Sequence, residues 1–451
     1  MLKEPLGRGG AMPQIPPNNH LEVTVMIMFI VFILLIGAGV PIGFGLCLSA
    51  IIYILFSGNT MLLNMFAQRL YAGINSYTLL AIPFFILTGL LMNTGGITNR
   101  IFKFASNLVG HIAGGLGHVS VLASMIVAGM SGSAVAEAAG LGAVEIKAMT
   151  DQGYDNEFAA AITAASSTIG PIIPPSIPFV LFSGLTGVSV GRLFLGGIIP
   201  GLLMGLGLMI TVYFIARKRK YPTNPRANFK DIAKSLLDAL PSLLVPLIVI
   251  GGILGGIFTP TEAASVAALY AFVLGVFVYK EIDMQSLLSI IRETVSHTIR
   301  VMFIIGAAAF FGWVLTYQGV PDLITQKLMS LTENKYLILL IIELIGLILG
   351  CFLESLAILV LTIPIFMPLV QHFGIDPVHF GVTYTLCLMI GLITPPVGMS
   401  LYPVISVAKV PLHRVAKACI PYIIALILVV LIITFIPWLV TLVPNLIMGQ
   451  A

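Results

Sequence analysis

Small hydroxyl-bearing residues and glycines cluster at four places within otherwise apolar sequence. Two clusters, Ser131-Gly132-Ser133 and Glu354-Ser355, interrupt long apolar stretches, and two more, at 166–170 and 391–394, precede pairs of prolines. Where a helix is interrupted inside a bilayer, freed backbone carbonyls and neighbouring hydroxyls supply oxygen ligands for a small cation. Serine and glycine also occur at close helix crossings for packing alone. The residue types leave both interpretations open, and their repetition favours ion binding.

The elements that carry these clusters are duplicated along the chain. Residues 169–175 read Ile-Gly-Pro-Ile-Ile-Pro-Pro and residues 390–396 read Ile-Gly-Leu-Ile-Thr-Pro-Pro; an offset of 221 residues aligns 153–175 with 374–396 at seven identities in 23 positions. The prolines remove backbone donors and break the helix. In lipid, such a break is tolerated only where it lines a protein-enclosed cavity. Paired broken segments therefore indicate the substrate and ion site of a secondary transporter.

The composition is that of a polytopic membrane protein. Hydrophobic residues make up 58% of the chain and charged residues 9%, with a mean hydropathy of +1.08. The four cysteines are scattered without a C-x-x-C motif and are interpreted as reduced packing residues. Metalloprotease, P-loop and serine hydrolase motifs are absent, which argues against an enzyme, and a passive channel has little need of two broken repeats. We expect no cofactor other than a coupling ion.

Two hairpins accompany two interrupted spans. The interrupted spans are 157–187 and 376–407, and the apolar regions 113–150 and 335–371 each have a polar, small-residue tip in the middle. These regions are either ordinary helix pairs or re-entrant hairpins whose tips stop near the midplane. The continuous apolar spans are 22–39, 42–57, 77–95, 192–216, 240–258, 261–279, 299–317 and 419–443.

The distribution of charge decides between these two arrangements. If the hairpins enter from opposite faces, 16 of the 22 Lys and Arg residues fall on one side, which the positive-inside rule makes cytoplasmic. The predicted fold is an all-α polytopic membrane protein with ten spans and both termini outside. It is an inverted repeat with two re-entrant helical hairpins and two broken transmembrane helices.

This topology divides the chain into seven parts. The amphipathic stretches 60–76 and 281–298 resemble interfacial helices, with ordinary polar loops as the alternative. The predicted parts are a leader, linker or non-native remnant (1–21), scaffold helices and an arm (22–76), the first half of a transport core (77–187), a connecting helix with a basic cytoplasmic loop (188–239), scaffold helices and a second arm (240–298), the second half of the core (299–407) and a C-terminal helix (408–451).

Five motifs follow one another with long, ordered spacing. They are AIPFFILTGLLM at 81–92, SGSAVAE at 131–137, GPIIPPSIP at 170–178, GGIFTPTEAA at 255–264, and Glu354-Ser355 followed by TIPIFMP at 362–368. Together they resemble the large membrane subunit of TRAP transporters (tripartite ATP-independent periplasmic transporters), over about residues 22–443.

The resemblance implies sodium-coupled import of an organic anion, usually a carboxylate, by an elevator movement in the bacterial inner membrane. It also implies two partners, a small four-helix membrane (Q) subunit and a periplasmic substrate-binding (P) protein. Substrates within the family include C4-dicarboxylates, sialic acids and other sugar or keto acids, and the hairpin and Pro-Pro regions look most like the sialic acid group. The alternative is a stand-alone sodium–dicarboxylate symporter, which needs no binding protein.

With sodium as the coupling ion, each hairpin tip packed on its neighbouring break would form one of two quasi-equivalent sites. The residues predicted to bind sodium are Ser131, Gly132, Ser133, Ser166, Ser167, Thr168, Gly170, Glu354, Ser355, Gly391 and Thr394.

The substrate carboxylate needs positive potential, and the N-termini of half-helices provide it through unpaired N–H groups. No basic residue falls at the predicted midplane. The residues predicted to bind substrate are Ala134, Pro174, Pro175, Ser176, Pro395, Pro396 and Ser400.

Acids within apolar sequence are functional candidates. We interpret Glu137 as a residue that favours the start of a helix, and Glu354 as either a helix cap or a residue that tunes a cation site. Glu262 is expected in the first turn of a scaffold helix, and Asp155 and Asp376 are expected to cap the broken spans.

Overall fold

The computed structural model describes residues 19–449, except the side chains of residues 19–25, 128–131 and 331. The described part is helical throughout and has no strand. The predicted leader therefore lies, up to residue 18, outside the described residues. The helices are α1 (Asn19–Gly37), α2 (Ile42–Phe56), α3 (Phe66–Ile74), α4 (Ala81–Thr94), α5 (Ile97–Val109), α6 (Gly115–Ser131), α7 (Ala134–Asp151), α8 (Asn156–Ser167), α9 (Ile177–Thr186), α10 (Val190–Arg219), α11 (Phe229–Leu254), α12 (Pro260–Val273), α13 (Met284–Tyr317), α14 (Val320–Leu331), α15 (Lys335–Gly350), α16 (Ser355–His372), α17 (Pro377–Gly391), α18 (Leu401–Ala408), α19 (Leu412–Phe435) and α20 (Trp438–Met448).

Six helices within residues 19–449 are long and apolar enough to cross a membrane alone: α10, α11, α12 with its extension to Val278, α13, α16 and α19. A seventh span results if Thr60–Ile74 and Thr78–Thr94, bent by 62° at a short break, count as one. This is fewer than the ten predicted spans. The reason is that each predicted interrupted span consists of two short helices, that α2 has 15 residues, and that α1 is described with its side chains only from Met26 onwards.

Both predicted hairpins and both breaks are present. Helices α6 and α7 form the first hairpin, with its tip at Gly132 and Ser133, and α15 and α16 form the second, with its tip at 351–354. The first break separates α8 from α9 at 168–176, and the second separates α17 from α18 at 392–400. The predicted fold class is confirmed, with the same order of hairpin and broken helix in each half.

The arms differ between the halves. Residues 60–74 form a short 3-10 helix followed by α3, separate from α4. In the second half, the predicted arm 281–298 is not a separate helix, because α13 continues without interruption from Met284 to Tyr317. The chain near residue 298 contains no proline or glycine to stop it, whereas Asn75 and Ser76 end α3. The C-terminal part likewise contains two helices, α19 and α20, which separate just before Pro437.

The helix ends show which predicted caps form. Asp376 accepts hydrogen bonds from the amides of Val378 and His379, and Glu262 forms a capping box with Thr259. Asp155 occupies the predicted cap position of α8, but its side chain makes no capping hydrogen bond. Its carboxylate instead binds Tyr221 and Arg219, both at 2.5 Å, which ties the start of α8 to the basic loop. The hydrogen bond from Tyr221, followed by that from Arg219, holds the pKa of Asp155 below its ordinary value.

Candidate functional site

The tip of the first hairpin rests on the first break. Gly132 has a left-handed backbone (φ 57°), and a Cβ there would lie 3.0 Å from the amide nitrogen of Ile177 and 3.4 Å from the carbonyl of Pro175. Only glycine fits this turn without strain. Ser133 caps α7 by accepting a hydrogen bond from the amide of Ala136 at 3.4 Å. The side chain of Ser131 lies outside the described residues, and its role stays a prediction.

The hydroxyls of the first break point back along their own helix. Ser166, Ser167 and Thr168 donate to the carbonyls of residues 163, 164 and 165 at 3.1, 2.9 and 2.6 Å. Ser176 donates to the carbonyl of Pro171 and accepts from the amide of Phe179. Each of these hydroxyl groups therefore already donates its proton in a hydrogen bond. Only the lone pairs of its oxygen remain available to bind a cation.

The tip of the second hairpin meets the second break through backbone alone. A Cβ on Gly391 would lie 2.5 Å from the Cα of Gly350. The amides of Val397 and Gly398 both donate to the carbonyl of Cys351 at 3.2 Å. These contacts join the two elements without side chains and fix the tip against the break.

The polar side chains at the second tip and break differ in whether they form hydrogen bonds. The Thr394 hydroxyl donates to the carbonyl of Ile390 at 2.7 Å. The amide of Ser400 donates to Leu392, whereas its hydroxyl oxygen is buried without a partner among the described residues. Glu354 occupies the cap position of α16 but makes no capping hydrogen bond. Ser355 is buried in the first turn of that helix.

The two breaks differ in exposure. Pro174 and Pro175 are buried, whereas Pro395 and Pro396 are exposed. The repeat is therefore symmetric in its elements and asymmetric in its surroundings.

A cavity of about 680 Å³ lies between the two hairpin tips, α4 and α13. The predicted site residues that line it are Gly132, Ser133, Ala134, Glu354 and Ser355. The N-terminal turns of α7 and α16 both border this space, which brings two positive helix ends to one cavity. The predicted residues that do not line the cavity are Ser166, Ser167, Thr168, Gly170, Pro174, Pro175, Ser176, Gly391, Thr394, Pro395, Pro396 and Ser400.

Charged residues of α13 also line the cavity, and the sequence reasoning missed them. Glu293, His297 and Arg300 recur at intervals of four and three residues and present one helix face to it. His297 lies 3.7 Å from Glu293, whereas Arg300 makes no ion pair within the described part. The helical periodicity was a usable signal, but the prediction of an interfacial arm up to 298 separated Glu293 and His297 from the core.

Buried acids are the second feature, and of the three described below the sequence analysis singled out only Glu137. Glu137 is 4% exposed, and neither of its carboxylate oxygens has a hydrogen-bond partner among the described residues. It points at the first break, because a Cβ on Gly170 would lie 2.5 Å from its Oε2. Glu145 and Glu343 are buried as well. Glu137 lies in the first turn of α7, where an acid favours the helix start, and the cap itself is Ser133.

Comparison with known proteins places this arrangement in a family. The family model "Tripartite ATP-independent periplasmic transporter, DctM component" matches residues 29–439. The sialic acid TRAP transporter large permease protein SiaM of Vibrio cholerae is 46% identical over 92% of this chain and 97% of its own length. The C4-dicarboxylate TRAP transporter large permease protein DctM of Vibrio cholerae is 40% identical over 94% of this chain and 99% of its own.

A solved structure supports the same fold. The crystal structure of the YdaH transporter of Alcanivorax borkumensis aligns with a TM-score of 0.62 over 85% of this chain and 89% of that protein, at 16% sequence identity. At this identity the likeness concerns the fold alone.

Proposed function

The chain belongs to the family of tripartite ATP-independent periplasmic transporter DctM components, and we propose that it imports an organic carboxylate, with sialic acid as the first candidate, coupled to sodium by an elevator movement. It is a multi-pass membrane permease and a transport protein rather than an enzyme. The proposed location is the bacterial inner membrane. The proposed partners are a small four-helix membrane subunit and a periplasmic substrate-binding protein.

The observation that carries this proposal is the cavity between the hairpin tips. Its volume, about 680 Å³, lies in the range of small-molecule sites. Two helix N-termini border it, and Arg300 adds a guanidinium, the group that best matches a carboxylate. This combination suits an organic anion.

The position of the charged α13 residues supports an inward-facing state. Glu293, His297 and Arg300 lie close to Arg292 in the part of α13 that the charge distribution places near the cytoplasm. A cavity that reaches that side would correspond to the release stage of import. The burial of the first break and the exposure of the second fit such an asymmetric stage.

Uptake into proteoliposomes that contain this chain and its small subunit tests the function. We expect uptake of radiolabelled sialic acid that requires both an inward sodium gradient and a sialic acid-binding P protein. Sodium-driven uptake of free substrate without a P protein would instead support the stand-alone symporter. C4-dicarboxylate uptake is the second candidate because of the 40% identity to the C4-dicarboxylate permease. Succinate transport without sialic acid transport would establish it.

Arg300→Gln is expected to weaken substrate binding from the cytoplasmic side about tenfold, because a charge-assisted hydrogen bond to a carboxylate is lost. The measurement is isothermal titration of the purified chain with sialic acid at saturating sodium. Arg292→Gln, on the same helix but outside the cavity lining, is the matched control and should bind like the unaltered chain. Equal affinities in all three proteins would remove Arg300 from the site.

A further inference from the structure

A buried polar cluster lies inside the first half, away from the cavity lining. Glu145 of α7 is 1% exposed and packs between α6 and α8. The hydroxyl of Ser120 donates to its Oε2 at 2.6 Å and lies 3.2 Å from the hydroxyl of Ser166. Thr163, 2% exposed, lies beside the same carboxylate. Three helices thus bring one carboxylate and three hydroxyls together.

Two atoms of this cluster are unsatisfied. The Oε1 of Glu145 and the Oγ1 of Thr163 are buried and make no well-aligned hydrogen bond among the residues the structure describes, although the two side chains lie within interaction distance of each other. Within that same part, no Lys, Arg or His forms an ion pair with Glu145. A carboxylate withdrawn from water needs a compensating charge or hydrogen bonds to both oxygens, and native proteins rarely leave either unmet.

We propose that Glu145, Ser120, Thr163 and Ser166 form a further cation site, which takes a sodium-sized ion and is distinct from the two predicted tip–break sites. The set offers two carboxylate and three hydroxyl oxygens, which are the ligands that hard cations prefer. The Ser166 proton is already donated to the Thr163 carbonyl at 3.1 Å, so its lone pairs face the cluster. Ser166 therefore serves this site rather than the tip of the first hairpin.

The second half contains a natural comparison. Glu343 of α15 is buried to 3% exposure, and the Thr434 hydroxyl lies within hydrogen-bond distance of both of its oxygens, at 2.8 and 3.0 Å, and shares its one proton between them. Neither oxygen of this carboxylate lacks a partner within the described part. Glu343 is the same residue type with similar burial, but a hydroxyl lies beside both of its oxygens, so we expect it to need no cation.

The site places a charge within the elements predicted to move. Helices α6, α7 and α8 all belong to the predicted transport core, and Ser166 lies directly before the break at 168–176. An ion bound here would connect the hairpin to the broken helix from inside. Cation binding at Glu145 would then stabilise the packing of α7 on α8 before substrate enters the cavity.

The number of sodium ions bound per chain tests the proposal independently of transport. Equilibrium dialysis of the purified chain with ²²Na⁺ at pH 8 is expected to give one fewer bound ion in Glu145→Gln, whereas Glu343→Gln binds the same number as the unaltered chain. Thermal unfolding in sodium against choline chloride should show a smaller sodium-dependent rise in Tm for Glu145→Gln only.

The opposite results would overturn the site. If Glu145 simply carries a proton, glutamine mimics it and Glu145→Gln keeps the full sodium count. If Glu145→Gln does not fold, Ser120→Ala and Thr163→Val keep the carboxylate and remove two ligands. Weaker sodium binding in both would support the site, and unchanged affinity in both would exclude it. If Glu343→Gln also binds one ion fewer, as Glu145→Gln is expected to do, the loss would reflect general destabilisation of the fold by removal of a buried acid.

Discussion

Replacement of both Pro174 and Pro175 by alanine is expected to abolish uptake while the chain still reaches the membrane. The two residues lie in the first break and are buried. A proline inside a helix costs about 3 kcal/mol, so their removal shifts the balance by several kcal/mol towards a continuous helix from α8 into α9. The carbonyl of Pro175 and the amide of Ile177, which lie against Gly132, would turn into that helix. The tip of the first hairpin would then lose its contact with the break.

The measurement is substrate uptake in proteoliposomes, normalised to the amount of protein in the membrane. Pro421→Ala is the control, since Pro421 is an exposed proline inside α19 and far from either break in sequence. It should transport like the unaltered chain. Uptake by the double variant at about the rate of the control would mean that the break itself is dispensable.

The breaks and tips could be predicted from the sequence because their signal is local. Proline removes a donor, and glycine permits a left-handed turn, wherever they stand, so the ends of α8 and α17 follow from the Gly-Pro clusters. The duplicated order then placed each tip beside a break. These are statements about which backbone groups lack helical partners, and they need no knowledge of the tertiary structure.

The features that could not be predicted depend on distant neighbours. Asp155 precedes a helix and resembles a cap, but Arg219 and Tyr221, over 60 residues away, bind its carboxylate. The cavity face of α13 depends on where α7 and α16 end in space. The unsatisfied state of Glu145 depends on hydroxyls from two other helices. An acid in apolar sequence is a visible signal, but only the packing shows whether its oxygens are bonded.

The contact between the second tip and its break has little tolerance of added volume. A Cβ at Gly391 would lie 2.5 Å from the Cα and 2.6 Å from the carbonyl carbon of Gly350, and 3.1 Å from the amide nitrogen of Cys351. All three atoms are backbone, so no side chain can rotate away. The α15 end would have to move, and with it the carbonyl of Cys351 that accepts from the amides of Val397 and Gly398.

Gly391→Ala is therefore expected to reduce uptake at least tenfold, because overpacking of this kind costs about 1–3 kcal/mol and displaces the tip that borders the cavity. Sodium-dependent uptake at several sodium concentrations separates a lower maximal rate from a weaker sodium affinity. Gly251→Ala in α11 is the matched control, since a Cβ there would meet nothing within 4 Å. Equal uptake by the two variants would mean that α15 can move away from α17 without consequence. Reduced sodium affinity in Gly391→Ala alone would instead support a cation site that this backbone contact holds together, because no side chain of the tip has been altered.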